Sequence, residues 1–366
     1  MNEREAYIAL NMMEKVGPVT VRSLVEVLGT AAAIFEAGGV AMKRAKGVGE
    51  ELVRAIVGQR REIDWRGEID RAAQSGVRII AQTDRDYPKR LRDIHDPPLA
   101  LYVNGELQVR DDHAIAVVGT RRPTHYGRGC AERFAAELAR VGFVVVSGLA
   151  EGIDTAAHEA VLKVKGRTLA VLGGGLDCMY PQANEELARR ISENGAVMTE
   201  YPFGRQPDRT TFPVRNRIVS GLSMGVIVVE AGDSSGALIT ADQALDQGRS
   251  VFAVPGRIDS STAHGPHRLI KQGAKLVDCV EDILQEFEFL IPPDAAASRK
   301  PTESPRPAMS ADEEAILQAL GDGEQDVDGL IRGTRLAAAT VNALLLGLEM
   351  KKMVRMLPGR VVERTR

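Results

Sequence analysis

The chain has 366 residues, and its 47 Lys and Arg residues against 50 Asp and Glu residues leave a formal net charge of −3 at pH 7. With 44% hydrophobic and 27% charged residues, the composition is that of a globular protein and excludes a disordered or fibrous chain. The near balance of charge excludes a uniformly basic surface, so a polyanion would have to bind at a local site. At about 100–200 residues per domain, the length predicts two or three domains.

The cysteines and the N-terminal residues indicate a compartment. Cys130, Cys178 and Cys279 are far apart and form no CxxC pair, so we expect neither a disulfide framework nor a structural zinc. The first fifteen residues carry three acids and no long apolar core, which argues against a secretory signal. No apolar run approaches the ~18 residues that a transmembrane helix needs. We therefore expect a cytoplasmic protein that holds no cofactor and no metal ion.

The N-terminal residues 1–66 have the pattern of short helices, with no strand-like alternation. The turns around Gly17 and Gly47 resemble the hairpins of helix-hairpin-helix modules, in which backbone N–H groups meet a phosphate. Residues 1–67 hold 10 basic and 9 acidic residues, a net charge of +1, so electrostatics adds little to such a contact. A helical scaffold or a protein-binding module is therefore as open as direct contact with DNA.

The middle of the chain, from residue 68 to residue 290, alternates apolar β-branched runs with helical patterns. The runs IAVV, VVVS, LAVL and VIVV have no polar face, as is typical of parallel strands covered by helices on both sides. This alternation predicts an α/β fold with one doubly wound, mostly parallel sheet. The strand candidates are Val77–Gln82, Leu99–Val103, Ala114–Val118, Phe143–Val146, Thr168–Leu172, Ala196–Thr199, Gly225–Val229, Ser250–Val254 and Lys275–Val277.

Three successive strands in this region end in glycine-rich turns that open helices, at residues 117–129, 146–154 and 171–184. Such turns meet at the carboxyl edge of the sheet, where backbone N–H groups and helix N-termini favour an anion. Together they predict a ligand that carries phosphate. The chain has no GxxxxGK[ST] motif, which excludes a P-loop. The first turn lacks GxGxxG spacing and the next strand ends in Ser147–Gly148 without a carboxylate, which argues against a dinucleotide oxidoreductase.

Arginines accompany these turns. Arg121 and Arg122 follow the first glycine and can reach a phosphate or stack on a base. The alternative is that both are solvated turn residues, and for Arg121 the ligand contact is favoured because its turn lies at the ligand edge of the sheet. Arg215 and Arg217 are two residues apart, so on a helix they cannot share one face. One of them can face the site while the other pairs with an acid such as Glu200 or Glu230, and a purely structural ion pair is as open here as contact with the ligand.

The C-terminal part begins with residues 292–309, which hold five prolines and almost nothing apolar and so predict a flexible linker. Ser310-Ala-Asp-Glu313 is a capping box before a helix. Helical patterns at Val327–Thr334 and Ala337–Lys352, then a hairpin around Pro358–Gly359, outline a winged helix. Residues 349–366 hold 6 basic and 2 acidic residues, a net charge of +4, and both duplex binding and protein contact are open uses of this charge.

Several long motifs occur in an order that resembles the DNA-processing protein A (DprA/Smf) family. They are GTRRPTHYG (119–127), SGLAEGIDTAAH (147–158), TLAVLGGGLDCMYPQAN (168–184), EYPFGRQPDRTTFPVRNRIVSGLS (200–223), VVEAGDSSGALITADQALDQGRSVFAVPG (228–256) and LIKQGAKLV (269–277). The resemblance implies an extended Rossmann-like domain that binds single-stranded DNA without sequence preference and forms a homodimer. It further implies a recombination mediator that loads RecA on incoming single strands in natural transformation, with no catalytic activity.

The resemblance also implies a division of the chain. Residues 1–66 would form a small helical domain of the sterile-alpha-motif or helix-hairpin-helix kind, and residues 67–291 the extended Rossmann-like DNA-binding domain. The linker 292–309 would join it to a winged-helix-like domain at 310–366.

Carried over residue by residue, the DNA pocket of this family comprises Gly119, Thr120, Arg121, Ser147, Gly148, Gly173, Gly174, Gly175, Leu176, Arg215, Asn216 and Arg217. The family often has a basic residue just after the Tyr-Pro of the third turn, whereas Gln182 stands there in this chain. Arg121 is therefore expected to carry more of the phosphate contact. Candidate groups for stacking on bases, at least two of which we expect in the core, are Tyr126, Tyr180, Tyr201 and Phe212.

Two other functions are weighed against this one. Related Rossmann-like proteins cleave nucleoside monophosphates with a PGGxGTxxE loop, whereas this chain has SSGALITADQA at residues 234–244. Glu200 and Glu230 remain the candidate carboxylates for such a phosphoribohydrolase. The third possibility is a scaffold whose DNA site is secondary to a partner surface for a recombinase.

Overall fold

The computed structural model describes residues 1–287, 309–321, 323–334, 336–350, 353–357 and 360–364. The chain divides into two compact units, residues 1–291 and 292–366. The predicted linker lies outside the described residues except for Met309, and so does the predicted turn Pro358–Gly359.

A nine-stranded sheet forms the centre of the first unit, with the order β1-β2-β6-β5-β4-β3-β7-β8-β9. The pairs β1–β2 and β2–β6 are antiparallel, and the other neighbours are parallel. The predicted doubly wound, mostly parallel fold is therefore confirmed, and every predicted strand is present to within two residues at each end. The strands are β1 Arg78–Ala81, β2 Ala100–Gly105, β3 Ala114–Val118, β4 Val144–Ser147, β5 Thr168–Val171, β6 Ala196–Thr199, β7 Gly225–Val228, β8 Ser250–Ala253 and β9 Lys275–Leu276.

Helices cover both faces of this sheet, because its central strands are apolar on both sides. In β3 all five residues are buried: Ala114 and Ala116 face one core cluster, and Ile115 and Val117 face the other. The helices of the sheet region are α7 Lys89–Arg92, α8 His125–Arg140, α9 Ile153–Lys163, α10 Glu185–Asn194, α11 Thr211–Gly221, α12 Gly236–Asp246, α13 His264–Lys271 and α14 Val280–Glu286. Helices α8, α9 and α14 pack in the second cluster, and α11, α12 and α13 in the first.

The strand order reverses next to β3. From β3 the chain proceeds through β4, β5 and β6 in one direction, and it returns to β7 on the other side of β3. The connections after β3 and β7 therefore diverge above the sheet and leave a crevice at its carboxyl edge.

Six helices precede the sheet and pack in the same compact unit. They are α1 Glu3–Asn11, α2 Pro18–Leu28, α3 Ala31–Glu36, α4 Gly39–Met42, α5 Glu50–Gln59 and α6 Trp65–Gln74. They have a core of their own, and a further cluster joins Ile8 and Ala72 to Ala100 and Tyr102 of the sheet. A domain boundary at residue 66 stays a prediction.

The second unit has the order of a winged helix, with helices α15 Ala311–Leu320, α16 Val327–Thr334 and α17 Ala338–Met350, and strands β10 Glu324–Asp326, β11 Val354–Leu357 and β12 Val361–Arg364. Its small sheet has the order β10-β12-β11. The predicted capping box is confirmed, because Ser310 Oγ accepts the N–H of Glu313 and the Glu313 carboxylate accepts the N–H of Ser310. Over the described residues, we find no helix with the length and apolar character needed to traverse a bilayer.

Candidate nucleic-acid interface

A cavity of about 460 Å³ opens at the crevice beside β3. Its walls are the turn after β3, the turn after β4, the first turns of α11, and the loop that leads from β7 into α12. Two of the three predicted glycine turns therefore meet here, at the switch point of the strand order.

The turn after β3 is held by a buried carboxylate. Glu230 accepts the Thr124 hydroxyl at 2.6 Å and the Thr124 N–H at 2.9 Å, and its backbone carbonyl accepts the Thr120 N–H at 2.7 Å. Thr124 in turn caps α8 through the N–H of Gly127. This fixed frame presents Arg121 and Arg122, both exposed, to the cavity.

A guanidinium and two aromatic rings lie together at the rim. The Arg121 guanidinium lies 5.3 Å above the centre of the Phe212 ring, and the Tyr180 ring centre lies 6.0 Å from that of Phe212. A guanidinium over an aromatic face is held in place yet keeps donors for an anion. The rim thus combines a positive charge with planar aromatic surfaces, a combination that suits single-stranded nucleic acid.

The floor of the cavity carries a second guanidinium, which is buried. Arg215 is 5% exposed and donates from Nη1 to the Gly148 carbonyl at 2.5 Å and to the Val171 carbonyl. A Cβ at position 148 would lie 2.5 Å from this guanidinium, so a larger residue there would displace Arg215. Burial lowers the pKa of Arg215 to about 10, with Asp154 acting in the opposite direction, so the side chain stays cationic at pH 7.

Asp154 fixes the turn after β4. Its Oδ2 atom accepts the N–H groups of Gly148 at 3.1 Å and Ala150 at 3.3 Å, on either side of Leu149, whose φ is +55°. Left-handed backbone is unfavourable for a leucine, and these two hydrogen bonds hold it. Burial raises the pKa of Asp154, while the nearby Arg215 opposes the shift.

The structure brings half of the predicted pocket residues to the cavity, namely Gly119, Thr120, Arg121, Gly148, Arg215 and Asn216. The others do not line it, namely Ser147, Gly173, Gly174, Gly175, Leu176 and Arg217. Ser147 is buried and donates its hydroxyl to the Val117 carbonyl at 2.6 Å. The third glycine turn packs against the loop 200–210, where the Gly175 N–H donates to the Arg205 carbonyl at 2.8 Å.

Arg217 faces away from the cavity, into an ion-pair network. Its guanidinium makes two hydrogen bonds to Glu200, at 2.6 and 2.7 Å, and its Nε donates to Asp96 at 2.9 Å. The expectation that one of the two arginines faces the site while the other pairs with an acid is therefore confirmed. Arg215 is the former and Arg217 the latter.

The opposite wall of the cavity was not among the predicted site residues. Ser234, Ser235 and Gly236 lie there, and Asn216 bridges to this wall through a hydrogen bond from Nδ2 to the Gly236 carbonyl at 3.2 Å. Ser235 caps α12, because its hydroxyl accepts the N–H of Ala237 at 3.3 Å. The available signal was topological, because the segment follows the strand next to β3.

The expectation that at least two of the four aromatic candidates lie in the core is wrong. Tyr126 is 54% and Tyr180 53% exposed, and Tyr201 and Phe212 are half-buried. They sit on segments that leave the carboxyl edge of the sheet, so one ring face stays near solvent. Tyr126 donates its hydroxyl to the Pro255 carbonyl at 2.7 Å.

Potential metal ligands gather elsewhere. Among the described residues, Asp278, Cys279 and Asp282 place their ligand atoms within 4.8 Å of one another. The Asp282 carboxylate accepts the N–H of Asp278, and this hydrogen bond lowers the pKa of Asp282. The cluster thus has a local structural role at the start of α14 and lies outside the cavity.

Comparison with known proteins places the chain in a family. Residues 78–288 match the family DNA recombination-mediator protein A, and residues 300–360 match the DprA winged helix domain. Protein Smf of Synechocystis is 33% identical over 395 residues, which cover 99% of each chain. DNA processing protein DprA of Bacillus subtilis is 45% identical over 58% of this chain and 72% of its own.

Two solved structures of family members are similar. DNA processing protein A of Streptococcus pneumoniae has a TM-score of 0.69 at 36% identity, over 79% of this chain and 99% of its own. DNA processing protein A of Helicobacter pylori, described with its single-stranded DNA binding mode, has a TM-score of 0.51 at 30% identity, over 57% of this chain and 99% of its own. The sequence match, the sheet and the winged helix agree, and the chain belongs to the DNA recombination-mediator protein A (DprA/Smf) family.

Proposed function

We propose that the protein binds single-stranded DNA without sequence preference in the cavity beside β3 and acts as a recombination mediator. The observation that carries this proposal is the pairing of an exposed guanidinium, Arg121, with the half-buried ring of Phe212 above a buried cation, Arg215. Single-strand binding needs such a local positive groove with planar partners. The likeness to the H. pylori protein, whose single-stranded DNA binding mode is described, supports the same ligand.

The DNA backbone would lie over the turns after β3 and β4. Arg121 would contact a phosphate, and the backbone of Gly119, Thr120 and Gly148 would let the chain approach closely. Arg215 would act by its charge, since its Nη1 already serves two carbonyls. Ser147, Gly173–Leu176 and Arg217 would support these parts from behind.

Within this proposal the protein assists a recombinase. It would load RecA recombinase on incoming single strands in natural transformation, in the cytoplasm, and residues 67–291 would carry the DNA site. We further propose a homodimer through this Rossmann-like domain. Edge β1 is covered where Arg4 donates to the Ile79 carbonyl at 2.6 Å, whereas edge β9 leaves Leu276 45% exposed. An open sheet edge is a template on which a strand of a second copy can pair. Light scattering of the full chain, which gives the mass in solution, tests whether the protein is a dimer.

For the winged-helix unit we propose protein contact over reading of duplex DNA. Helix α17 occupies the place of the helix that enters the major groove in helix-turn-helix proteins. Its single charged residue is Glu349, and Leu346 is 61% exposed. A helix without cations is poorly suited to a polyanion.

The phosphoribohydrolase alternative finds less support. Both carboxylate oxygens of Glu200 accept hydrogen bonds from Arg217, and both of Glu230 accept them from Thr124. A catalytic carboxylate needs a free oxygen within reach of its substrate. Neither residue lines the cavity.

Fluorescence anisotropy of labelled single- and double-stranded oligonucleotides, titrated with protein over a salt series, tests the proposal. We expect Arg121→Ala to weaken single-strand binding about tenfold and to lower the salt slope by about 0.7. Arg140→Ala is the matched control, because Arg140 is exposed at the far end of α8. Unchanged affinity and slope in Arg121→Ala would refute the pocket, and absence of binding by the wild type at low salt would refute the function.

The finer role is tested with a RecA recombinase. The protein should accelerate assembly of recombinase on a single strand, and Arg121→Ala should lose most of this acceleration. If the recombinase assembles on the single strand equally fast with and without the protein, the protein binds DNA but is not a mediator, and the finer role is refuted. Consumption of nucleoside monophosphates in the same preparation would favour the hydrolase instead.

A further inference from the structure

We infer that helix α6 of the N-terminal segment positions the aromatic side of the DNA cavity, and that Arg71 is the positioning residue. This inference rests on the proposed function for its DNA readout. The sequence of the N-terminal helices is compatible with binding of DNA, binding of protein or a scaffold role. The contacts of α6 favour a structural role within the chain, which is control of two loops that frame the cavity.

Three interactions tie α6 to these loops. Arg71 Nη2 donates to Asp177 Oδ2 at 2.7 Å, and its guanidinium lies 4.9 Å above the Phe203 ring. Glu68, which is 8% exposed, accepts the Phe203 N–H at 2.9 Å. The Phe203 ring also packs edge-on against Tyr102 of β2, at 5.6 Å between centres. One helix therefore holds the third glycine turn and the loop 200–210 at once.

The two loops are bound to each other at the same place. Asp177 Oδ1 accepts the Gly204 N–H at 2.9 Å. The carboxylate that accepts the hydrogen bond from Arg71 therefore also links the third glycine turn to the loop 200–210. The Gly175 N–H donates to the Arg205 carbonyl at 2.8 Å. Loss of Arg71 would leave Asp177 without its cation and loosen both contacts.

From these loops the contacts continue to the cavity. The loop 200–210 leads directly into α11, and its Asp208 carboxylate accepts the N–H of Thr211, the first residue of that helix, at 3.1 Å. Phe212 follows, and the third glycine turn lies close to its ring, since a Cβ at Gly173 would lie 2.8 Å from Phe212 Cδ1. Tyr180 at the end of that turn lies beside the same ring. The positions of the Phe212 ring and of the Arg121 guanidinium above it thus depend on the two loops that α6 contacts.

The sign of the Asp177 effect separates positioning from direct contact with DNA. If Arg71 only attracted phosphate, removal of the neighbouring carboxylate would strengthen binding and removal of Arg71 would lower the salt slope. If Arg71 and Asp177 position the loops, removal of either weakens binding and leaves the slope unchanged. The double variant then loses no more than either single variant, because the two side chains form one link.

The test compares Arg71→Ala, Asp177→Ala, the double variant and Arg71→Lys in the full chain, with a labelled single-stranded oligonucleotide. We expect each alanine variant to weaken binding about threefold to fivefold at constant salt slope, and Arg71→Lys to restore part of the loss. Arg66→Ala is the matched control on the same helix, since Arg66 lies over Trp65 at 4.9 Å. Trp65 is the sole tryptophan, so its fluorescence verifies that α6 stays folded in the Arg71 and Asp177 variants. In Arg66→Ala, which changes the surroundings of this ring, far-UV circular dichroism takes its place.

Hydrogen exchange gives a readout that needs no DNA. The amides of Gly175 and Gly204 should exchange faster in Arg71→Ala and Asp177→Ala than in Arg66→Ala. Stronger binding by Asp177→Ala, or wild-type affinity together with wild-type exchange in Arg71→Ala, would overturn the inference. Arg121→Ala in the same titration keeps the two proposals apart: if it binds like the wild type while the exchange of Gly204 is raised in Arg71→Ala, the DNA pocket fails and the link through α6 stands.

Discussion

Arg217→Met tests whether the second arginine of α11 stabilises the fold and does not bind DNA. The guanidinium is 5% exposed and the Glu200 side chain that it meets is 11% exposed. Burial alone would lower the pKa of Arg217, but the pairing with Glu200 and Asp96 raises it above its usual value. Removing the cation leaves Glu200 buried without a partner, and breaking a buried pair costs about 3–5 kcal/mol. We expect a loss of this size in the free energy of unfolding.

Urea unfolding of the full chain, followed by far-UV circular dichroism, measures this loss. The double variant Arg217→Met/Glu200→Gln should recover part of the stability, because no unpaired carboxylate remains at that position. Arg121→Ala is the reciprocal control, since an exposed side chain should change stability by less than about 0.5 kcal/mol. An Arg217→Met variant as stable as the wild type but as weak in DNA binding as Arg121→Ala would refute this assignment.

Two further predictions concern the interior of the sheet region. Gly148→Ala should destabilise the protein by about 1–3 kcal/mol through the clash with Arg215, whereas Gly129→Ala, with open space around its Cβ, should stabilise it by about 0.5–1 kcal/mol. Urea midpoints in the opposite order would contradict this. His158 is buried beside Thr168, and burial lowers its pKa from 6.5 to about 3. The unfolded chain therefore binds a proton first as pH falls, and between pH 6.5 and 3 the wild type should lose about 1.4 kcal/mol per pH unit relative to His158→Asn. Parallel stability curves of the two proteins over this range would refute the reasoning.

The fold followed from the sequence because its signals are local and repeated. Runs such as IAVV and VIVV are apolar on both faces, and only a sheet with helices on each side buries both. The strand ends are marked by glycine turns, so even the short strands were found within two residues. The antiparallel joining of β2 to β6 was not predictable in this way, because pairing partners depend on contacts distant in sequence.

The site was predictable only in part. Two glycine turns and the divergence of Arg215 from Arg217 follow from sheet topology and helical periodicity. The third glycine turn has the same sequence character, yet it packs against the loop 200–210 and supports the cavity from behind. Its partner loop, its link to α6 and the opposite wall at Ser234 depend on tertiary packing, which a single sequence does not display.

The two arginines of the cavity have different roles, and the difference decides which variant can report direct contact with DNA. Arg215 is part of the fold: its Nη1 satisfies the carbonyls of Gly148 and Val171, and its charge balances Asp154 beneath the turn. A buried cation of this kind sets the electric potential of the floor, but a variant of it removes hydrogen bonds of the turn as well. Arg121 is exposed and its guanidinium lies over the Phe212 ring, so over the described residues its replacement removes this stack and no backbone hydrogen bond of the turn. A loss of affinity in Arg121→Ala therefore measures contact with the DNA, whereas the same loss in an Arg215 variant would combine contact, potential and the shape of the turn.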